Sequence, residues 1–272
     1  MNGRHDEGPP EHGGGLSHDL PVLARRRMIR LMAGASLVPL VGCTSEGETP
    51  ATPSSSPSSS SAGCAEIPEK TAGPYPGDGS NGVNVLKESG VVRSDITRSF
   101  GDSAGGTAGG VPLTITLTVV DAASGCGTPK RGAAVYLWHC DREGAYSLYS
   151  EGVTDENYLR GVQETDDEGR VTFRSVFPGC YPGRWPHVHF EVYGSLADAT
   201  AATSITNTSQ LAFPEDVCDT VYATDGYGAS VRNLSVLSLE DDGIFRDGHD
   251  RQLAAMKGST GHGYTATLTV PV

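Results

Sequence analysis

Short runs of alternating apolar and polar residues dominate the chain after residue 64. In Pro112–Asp121, the apolar residues Leu113, Ile115, Leu117 and Val119 alternate with threonines. This period of two is typical of a strand that buries one face. Similar short runs occur at Ala134–Trp138, Arg170–Phe177, His187–Tyr193, Gln210–Phe213 and Thr265–Val270.

Stretches that contain Gly, Pro and Asp separate these runs, as turns require. They are Asp121–Lys130, Asp166–Gly169, Phe177–Arg184 and Asp225–Gly228. No segment of ten or more residues carries a helical stripe with capping residues. The sequence therefore predicts an all-β protein, a β-sandwich with long loops.

The first 42 residues have the pattern of an export signal. Arg25–Arg30 contains consecutive arginines, and a short apolar segment follows and ends at Leu40-Val41-Gly42-Cys43. The arginines resemble a twin-arginine signal, and the last four residues resemble a lipobox. We expect lipidation of Cys43 and anchoring to the outer face of the cytoplasmic membrane. A plain cleaved signal with an incidental Cys43 is the alternative.

Residues 43–63 are rich in Ser and Pro and lack apolar periodicity, which predicts a solvated tether. Residues 64–272 are then long enough for one folded domain. The chain has 20 Lys and Arg against 33 Asp and Glu, a net charge of −13. This balance argues against nucleic-acid binding, which needs a basic surface.

Two histidines in the run His187–Tyr193 suggest a metal site. In a strand, His187 and His189 point to the same face, so both imidazoles can reach one ion. Such pairs also occur as ordinary surface residues. The preceding loop brings Tyr181 and Arg184 close, and a hairpin-like return at Asp166–Gly169 could place Tyr158 beside Tyr181. Phenolates with imidazoles suit Fe(III), although each tyrosine could instead be a core or turn residue with a satisfied hydroxyl.

An ordered set of motifs resembles the intradiol ring-cleavage dioxygenases, specifically their exported bacterial branch. The motifs are WHCDREGAYSLY, NYLRGVQETDDEGRVTF, PGCYPGRWPHVHFEV and TSQLAF, with GPYPGDGSNG and RSDI before them. The resemblance implies a β-sandwich core and a mononuclear non-haem Fe(III). It also implies cleavage of catechols with O2 to muconate-type dicarboxylic acids.

The same resemblance assigns roles to individual residues. The implied iron ligands are Tyr158, Tyr181, His187 and His189. Tyr181 would leave the iron when a catechol binds, Arg184 would stabilise the anionic substrate, and Gln210 would support the site. Arg184 could also be a surface ion-pair residue. Tyr75 is either a wall of the substrate pocket or a turn residue, and Tyr146 and Tyr149 are core residues or pocket walls.

Two alternatives to an enzyme remain at this stage. One is a lipoprotein that binds catechols or ferric catecholates without turning them over, and the other is a purely structural sandwich. No amphipathic helix is found between Cys64 and Pro112, so the helical subunit-pairing region of soluble relatives is not expected. A monomer or weak oligomer is predicted instead.

Five cysteines follow Cys43, an odd number, so at least one is free or pairs outside the chain. The place of Cys180 beside the implied ligand Tyr181 suggests a Cys180–Cys218 disulfide. A second bond would join two of Cys64, Cys126 and Cys140, and spacing does not decide which.

Overall fold

The computed structural model describes residues 64–272, which form eight strands in two sheets. The predicted signal peptide, the lipidation of Cys43 and the tether lie outside the described residues. The strands are β1 (Pro112–Val120), β2 (Ala134–Trp138), β3 (Arg160–Glu164), β4 (Arg170–Val176), β5 (His187–Tyr193), β6 (Ile205–Ala212), β7 (Ala255–Ser259) and β8 (Gly263–Pro271).

The two sheets each have four strands, in the orders β4-β1-β8-β7 and β3-β2-β5-β6. All neighbouring strands are antiparallel except β1 and β8, which are parallel. Register places His189 opposite Trp138 on one side and opposite Gln210 on the other. The second sheet therefore brings Gln210 next to the histidine strand.

The main core lies between the sheets. The alternating apolar residues of β1, Leu113 to Val119, pack there with Val188, Phe190 and Val192 of β5. All of these side chains are at most 2% exposed. Because alternate residues of a strand point to opposite faces, His187 and His189 must project from the outer face of the second sheet.

That outer face is covered rather than left in water. A second apolar cluster combines Tyr136 and Trp138 of β2 with Val85, Leu86 and Val91 of the segment before β1. The residues at 72–100 thus form a layer over the second sheet. The histidine face is buried between this layer and the sheet.

Three short helices complete the fold: α1 (Leu196–Ala201), α2 (Glu215–Tyr222) and α3 (Gly228–Leu234). None reaches ten residues, so none produces the long helical stripe that sequence reading looks for. No helix among residues 64–272 is long and apolar enough to cross a membrane. Between Cys64 and Pro112 the structure contains no helix.

The predicted all-β sandwich is confirmed, and two of its strands were missed. β3, with sequence RGVQE, lacks clean alternation, and β7 is a largely exposed strand at the edge of its sheet. The turn at Asp166–Gly169 connects β3 in one sheet with β4 in the other. It is therefore a crossing between sheets and not the hairpin-like return that was expected.

The predicted Cys180–Cys218 disulfide is wrong. The bond that forms joins Cys64, at the start of the fold, to Cys126 in the β1–β2 connection, with Cα atoms 5.6 Å apart. Cys180 and Cys218 are free buried thiols, as is Cys140. The Cys180 thiol lies 3.5 Å from the carbonyl oxygen of Arg184 and packs in the main core, where it needs no covalent partner.

Candidate metal centre

Strand β5 supplies the two imidazoles of the site. His187 and His189 are 2% and 3% exposed, and their Nε2 atoms are 3.1 Å apart. The Nδ1 atom of His187 lies 2.5 Å from the carbonyl oxygen of Trp185. A proton on Nδ1 satisfies that carbonyl and leaves Nε2 as an acceptor, the arrangement of a metal-ligating imidazole.

His189 is held by an aromatic ring. The indole of Trp138, its neighbour on β2, stacks on the imidazole with ring centroids 4.9 Å apart and planes 6° apart. Burial lowers the pKa of both His187 and His189 well below the ordinary value. Both imidazoles are therefore neutral and have a lone pair to offer.

Two phenols meet these histidines, and they come from Tyr146 and Tyr181. Their hydroxyl oxygens lie 3.4 Å and 3.3 Å from Nε2 of His187. Tyr146 is 2% exposed, and Tyr181 is half-buried in the loop before β5. The two aromatic rings pack edge to face, with centroids 5.8 Å apart.

The loop after β2 positions Tyr146 through a tight turn. The Asp141 carboxylate accepts hydrogen bonds from the amides of Glu143 and Ala145. Gly144 has φ +89, and a Cβ atom there would lie 3.1 Å from Cβ of Tyr181. Glycine is needed because the turn is left-handed and because the two phenol-bearing loops touch at this residue.

Tyr158 is not part of this cluster, which corrects the ligand set implied by the sequence. Its hydroxyl donates to Oδ2 of Asp141 at 3.1 Å, and its ring packs with Ala108, Leu159 and Val176. Leu159, with φ +56, breaks the alternation before β3 begins. Tyr158 therefore braces the turn that carries Tyr146.

The sequence contained one signal for Tyr146. It lies in the first quoted motif, two residues after a glycine, but the strand period says nothing about a loop residue. Its place beside His187 depends on the loop after β2 folding back toward β5.

Arg184 and Gln210 are brought together beside the histidines. Nη2 of Arg184 donates to Oε1 of Gln210 at 2.6 Å, and Nε2 of Gln210 donates to the Thr71 carbonyl at 2.8 Å. Gln210 is fully buried and Arg184 is nearly so, with an 11% exposed side chain. The arginine is therefore a buried site residue rather than a surface ion-pair residue.

Tyr75 forms part of an aromatic wall next to the cluster. Its ring centroid lies 4.9 Å from that of Tyr146 and 5.3 Å from that of Tyr149. Arg160, which is completely buried, holds this wall by donating to the carbonyls of Pro76 and Ser147. Sequence reading did not find Arg160, because an arginine inside a weak strand pattern gives no sign of burial.

The donor set fits a single ferric ion. Separations of 3.1–3.4 Å between donor atoms are those expected around one ion with bonds of about 2.1 Å. Two phenols and two neutral imidazoles provide hard and borderline donors and no thiolate. Among residues 64–272, no group of three or more His, Cys, Asp or Glu side chains is placed to hold a metal ion.

Comparison with known proteins agrees with this fold. A family model described as "Dioxygenase" matches residues 91–233, more than half of the chain. The chain belongs to this dioxygenase family.

A solved intradiol ring-cleavage dioxygenase from Tetranychus urticae is 26% identical and has a TM-score of 0.58. The match covers 76% of this chain and 94% of that one. A β-sandwich dioxygenase core of this type is therefore shared.

Two curated enzymes show shorter matches. Hydroxyquinol 1,2-dioxygenase from Rhizobium sp. is 38% identical over 56 residues, which is 21% of this chain and 19% of the enzyme. The protocatechuate 3,4-dioxygenase beta chain from Burkholderia cepacia is 30% identical over 128 residues, 42% of this chain and 52% of that chain. The chain thus spans about a fifth of the length of the first of these relatives.

Proposed function

We propose that this protein is a non-haem Fe(III) intradiol dioxygenase that cleaves catechols with O2 to muconate-type dicarboxylic acids. One observation carries the proposal: Tyr146, Tyr181, His187 and His189 converge within 3.1–3.4 Å around Nε2 of His187. The names of the relatives, which act on hydroxyquinol and protocatechuate, support a catechol-type substrate.

The four residues would hold the iron, and the two tyrosines among them differ in how free they are to move. A bound ferric ion would lower the pKa of both phenols. It would also draw electron density from a catecholate and so make a ring carbon susceptible to attack by O2. Tyr146 lies buried against the sheet, whereas Tyr181 is half-buried on a loop. Tyr181 is therefore the phenol that can move away, and its oxygen can accept a proton from a catechol hydroxyl.

Arg184 supplies positive charge next to the reacting ring. Burial raises the pKa of the Tyr181 phenol, and the positive charge of Arg184 counteracts this rise. An anionic catecholate in the same place would be stabilised in the same way. Gln210 holds the guanidinium in position, and the rings of Tyr75 and Tyr149 exclude water from one side.

Oxygen uptake and spectroscopy test this function together. We expect the full-length protein to be purified with about one ferric ion and a visible tyrosinate charge-transfer band. We expect it to consume O2 with catechol, hydroxyquinol or protocatechuate and to form a muconate-type product. A band that changes with catechol while no O2 is consumed would contradict the enzyme and indicate a catechol-binding protein. A preparation that stays colourless with added ferric iron would contradict both.

We further propose that the enzyme is an exported lipoprotein that acts outside the cytoplasmic membrane on small, diffusing catechols. The arginine-rich signal and the residues up to Cys43 support export and lipidation. The Cys64–Cys126 disulfide fits an oxidising compartment. We expect the protein to fractionate with membranes, and Cys43→Ser to release it. Equal membrane association of the two forms would contradict lipid anchoring.

A further inference from the structure

Asp242 lies in the turns after α3, C-terminal to residues 91–233 that match the family model. Its side chain is completely buried. A buried carboxylate is costly unless several hydrogen bonds satisfy it. Asp242 has four such bonds, and they divide evenly between its two oxygens.

One oxygen of Asp242 holds its own turn, and the other reaches the site. Oδ1 accepts from the amides of Ile244 and Phe245 at 2.7 Å and 3.2 Å. Oδ2 accepts from Nε of Arg184 at 3.0 Å and from the amide of Trp185 at 2.7 Å. A single carboxylate thus fixes both an arginine side chain and the adjacent peptide.

Arg184 is held at two points of its planar group. Asp242 binds Nε, and Gln210 binds Nη2 at 2.6 Å. Two bonds on different nitrogens fix both the position and the plane of a guanidinium, which a single bond cannot do. Within residues 64–272, Nη1 of Arg184 makes no hydrogen bond, so it is the group left for an anionic ligand.

The contact to Trp185 extends the effect to the first histidine. The Trp185 carbonyl lies 2.5 Å from Nδ1 of His187, and its indole Nε1 donates to the Phe213 carbonyl at 2.9 Å. The same residue whose amide is bound by Asp242 therefore sets the proton position on His187. A buried ion pair adds little to stability compared with apolar packing. The Asp242–Arg184 pair is therefore better explained by the position it gives the Arg184 guanidinium.

We propose that Asp242 is a positioning residue of the site, which fixes Arg184 toward bound catecholate. The inference rests on the proposed function, because it concerns how Arg184 meets the substrate. Asp242 forms no hydrogen bond with Tyr146, Tyr181, His187 or His189, so it would act through Arg184.

A double-mutant cycle in the full-length protein tests the proposal, with variants D242N, R184M and D242N/R184M. Asp242→Asn keeps the shape but removes the charge and one acceptor oxygen. We expect kcat/KM for catechol to fall about 10- to 100-fold, and anaerobic catechol binding to weaken, while iron content stays at the wild-type level. R184M should cost at least as much, and the double variant should match R184M within about twofold.

Two further variants make the result specific. D241N removes the same charge from the neighbouring exposed residue, which bonds only within its own turn; it should equal wild type within about twofold. R184K keeps the charge but cannot bond Asp242 and Gln210 together, so it should resemble D242N. Losses that multiply in the double variant, or a D242N form that loses its iron, would overturn the proposal.

Thermal unfolding of the iron-free proteins separates this inference from the proposed function. Non-additive shifts of Tm in D242N, R184M and the double variant would support the coupling between Asp242 and Arg184, even if the wild-type protein consumes no O2. That latter result would count against the dioxygenase activity alone. Additive shifts of Tm would contradict the coupling between Asp242 and Arg184, whether or not the protein consumes O2.

Discussion

At the scale of single residues, the two tyrosines Tyr146 and Tyr158 have different tasks. Tyr146 lies 3.4 Å from Nε2 of His187, whereas Tyr158 donates to Asp141. We expect Tyr146→Phe to abolish or strongly shift the tyrosinate band and to reduce kcat by about 100-fold or more, because the proposed iron site loses one of its two phenols. Visible spectra and iron analysis of the purified variant measure this.

Tyr158→Phe is the matched control for this prediction. It removes the same oxygen atom from a tyrosine only twelve positions away, and it should keep the band and the iron. We expect about 1 kcal/mol less stability, since one hydrogen bond to a carboxylate is lost. Loss of the band in Tyr158→Phe with its retention in Tyr146→Phe would restore the ligand set implied by the motifs.

Arg160 is a second residue whose contribution to stability is seen only in the structure. It is completely buried and donates to the Pro76 carbonyl, to Tyr136, and to the side chain and carbonyl of Ser147. Arg160→Met removes four buried hydrogen bonds and leaves the Ser147 carbonyl without its donor, while the Pro76 carbonyl keeps the bond from Tyr136. We therefore expect the free energy of unfolding to fall by about 2–4 kcal/mol. Denaturant unfolding measures the change.

Arg170 gives the comparison for Arg160. It is half-exposed and pairs with Asp166 and Glu168 at the surface. Arg170→Met should change the free energy of unfolding by less than about 1 kcal/mol. Equal losses in the two variants would show that the buried network around Arg160 adds nothing.

At the scale of elements, the site depends on two loops that meet at Gly144. The residue has φ +89, and a Cβ would lie 3.1 Å from Cβ of Tyr181. Gly144→Ala should therefore strain the turn and push Tyr181 away, lowering iron affinity about tenfold and changing the band. Iron titration and the visible spectrum report both effects.

Gly152 separates backbone strain from loop contact. Its φ is +84, and a Cβ there would meet no atom within 4 Å. Gly152→Ala should lower the free energy of unfolding by about 1–2 kcal/mol through backbone strain alone, and its colour should match wild type. If both variants lose iron equally, the contact between Gly144 and Tyr181 is not what matters.

At the scale of the whole molecule, the Cys64–Cys126 disulfide ties the start of the fold to the β1–β2 connection. It closes a segment with a sequence separation of 62 residues. Cys64→Ser with Cys126→Ser should therefore lower the free energy of unfolding by about 4 kcal/mol, since the unfolded chain gains freedom. Thermal unfolding measures this.

The double variant Cys180→Ala with Cys218→Ala tests whether these two cysteines are free. These cysteines are free in the structure, so their loss removes only buried packing. Iron content should persist, and Tm should not depend on reductant any more than in wild type. A bond between Cys180 and Cys218 found by mapping under oxidising conditions would contradict the pairing described here.

The sandwich was predictable because most of its strands show a period of two within a short stretch of sequence. Alternation in Pro112–Val120 and His187–Tyr193 separates a buried face from the opposite face within nine residues or fewer. β3 was missed because its five residues, RGVQE, are too few and too mixed to show a period. Short helices were missed for the same reason, since six to eight residues hold about two turns.

The sequence by itself determined six of the eight strands, the shared face of His187 and His189, and the loop that brings Tyr181 to them. All of these follow from a period of two or from neighbours in the chain. Only the tertiary structure decided that Tyr146 rather than Tyr158 lies beside His187, that Cys64 pairs with Cys126, and that Asp242 holds Arg184. These choices join segments that are 35 to 62 residues apart, or lie on loops without a period, and the packing of one loop against another settles them.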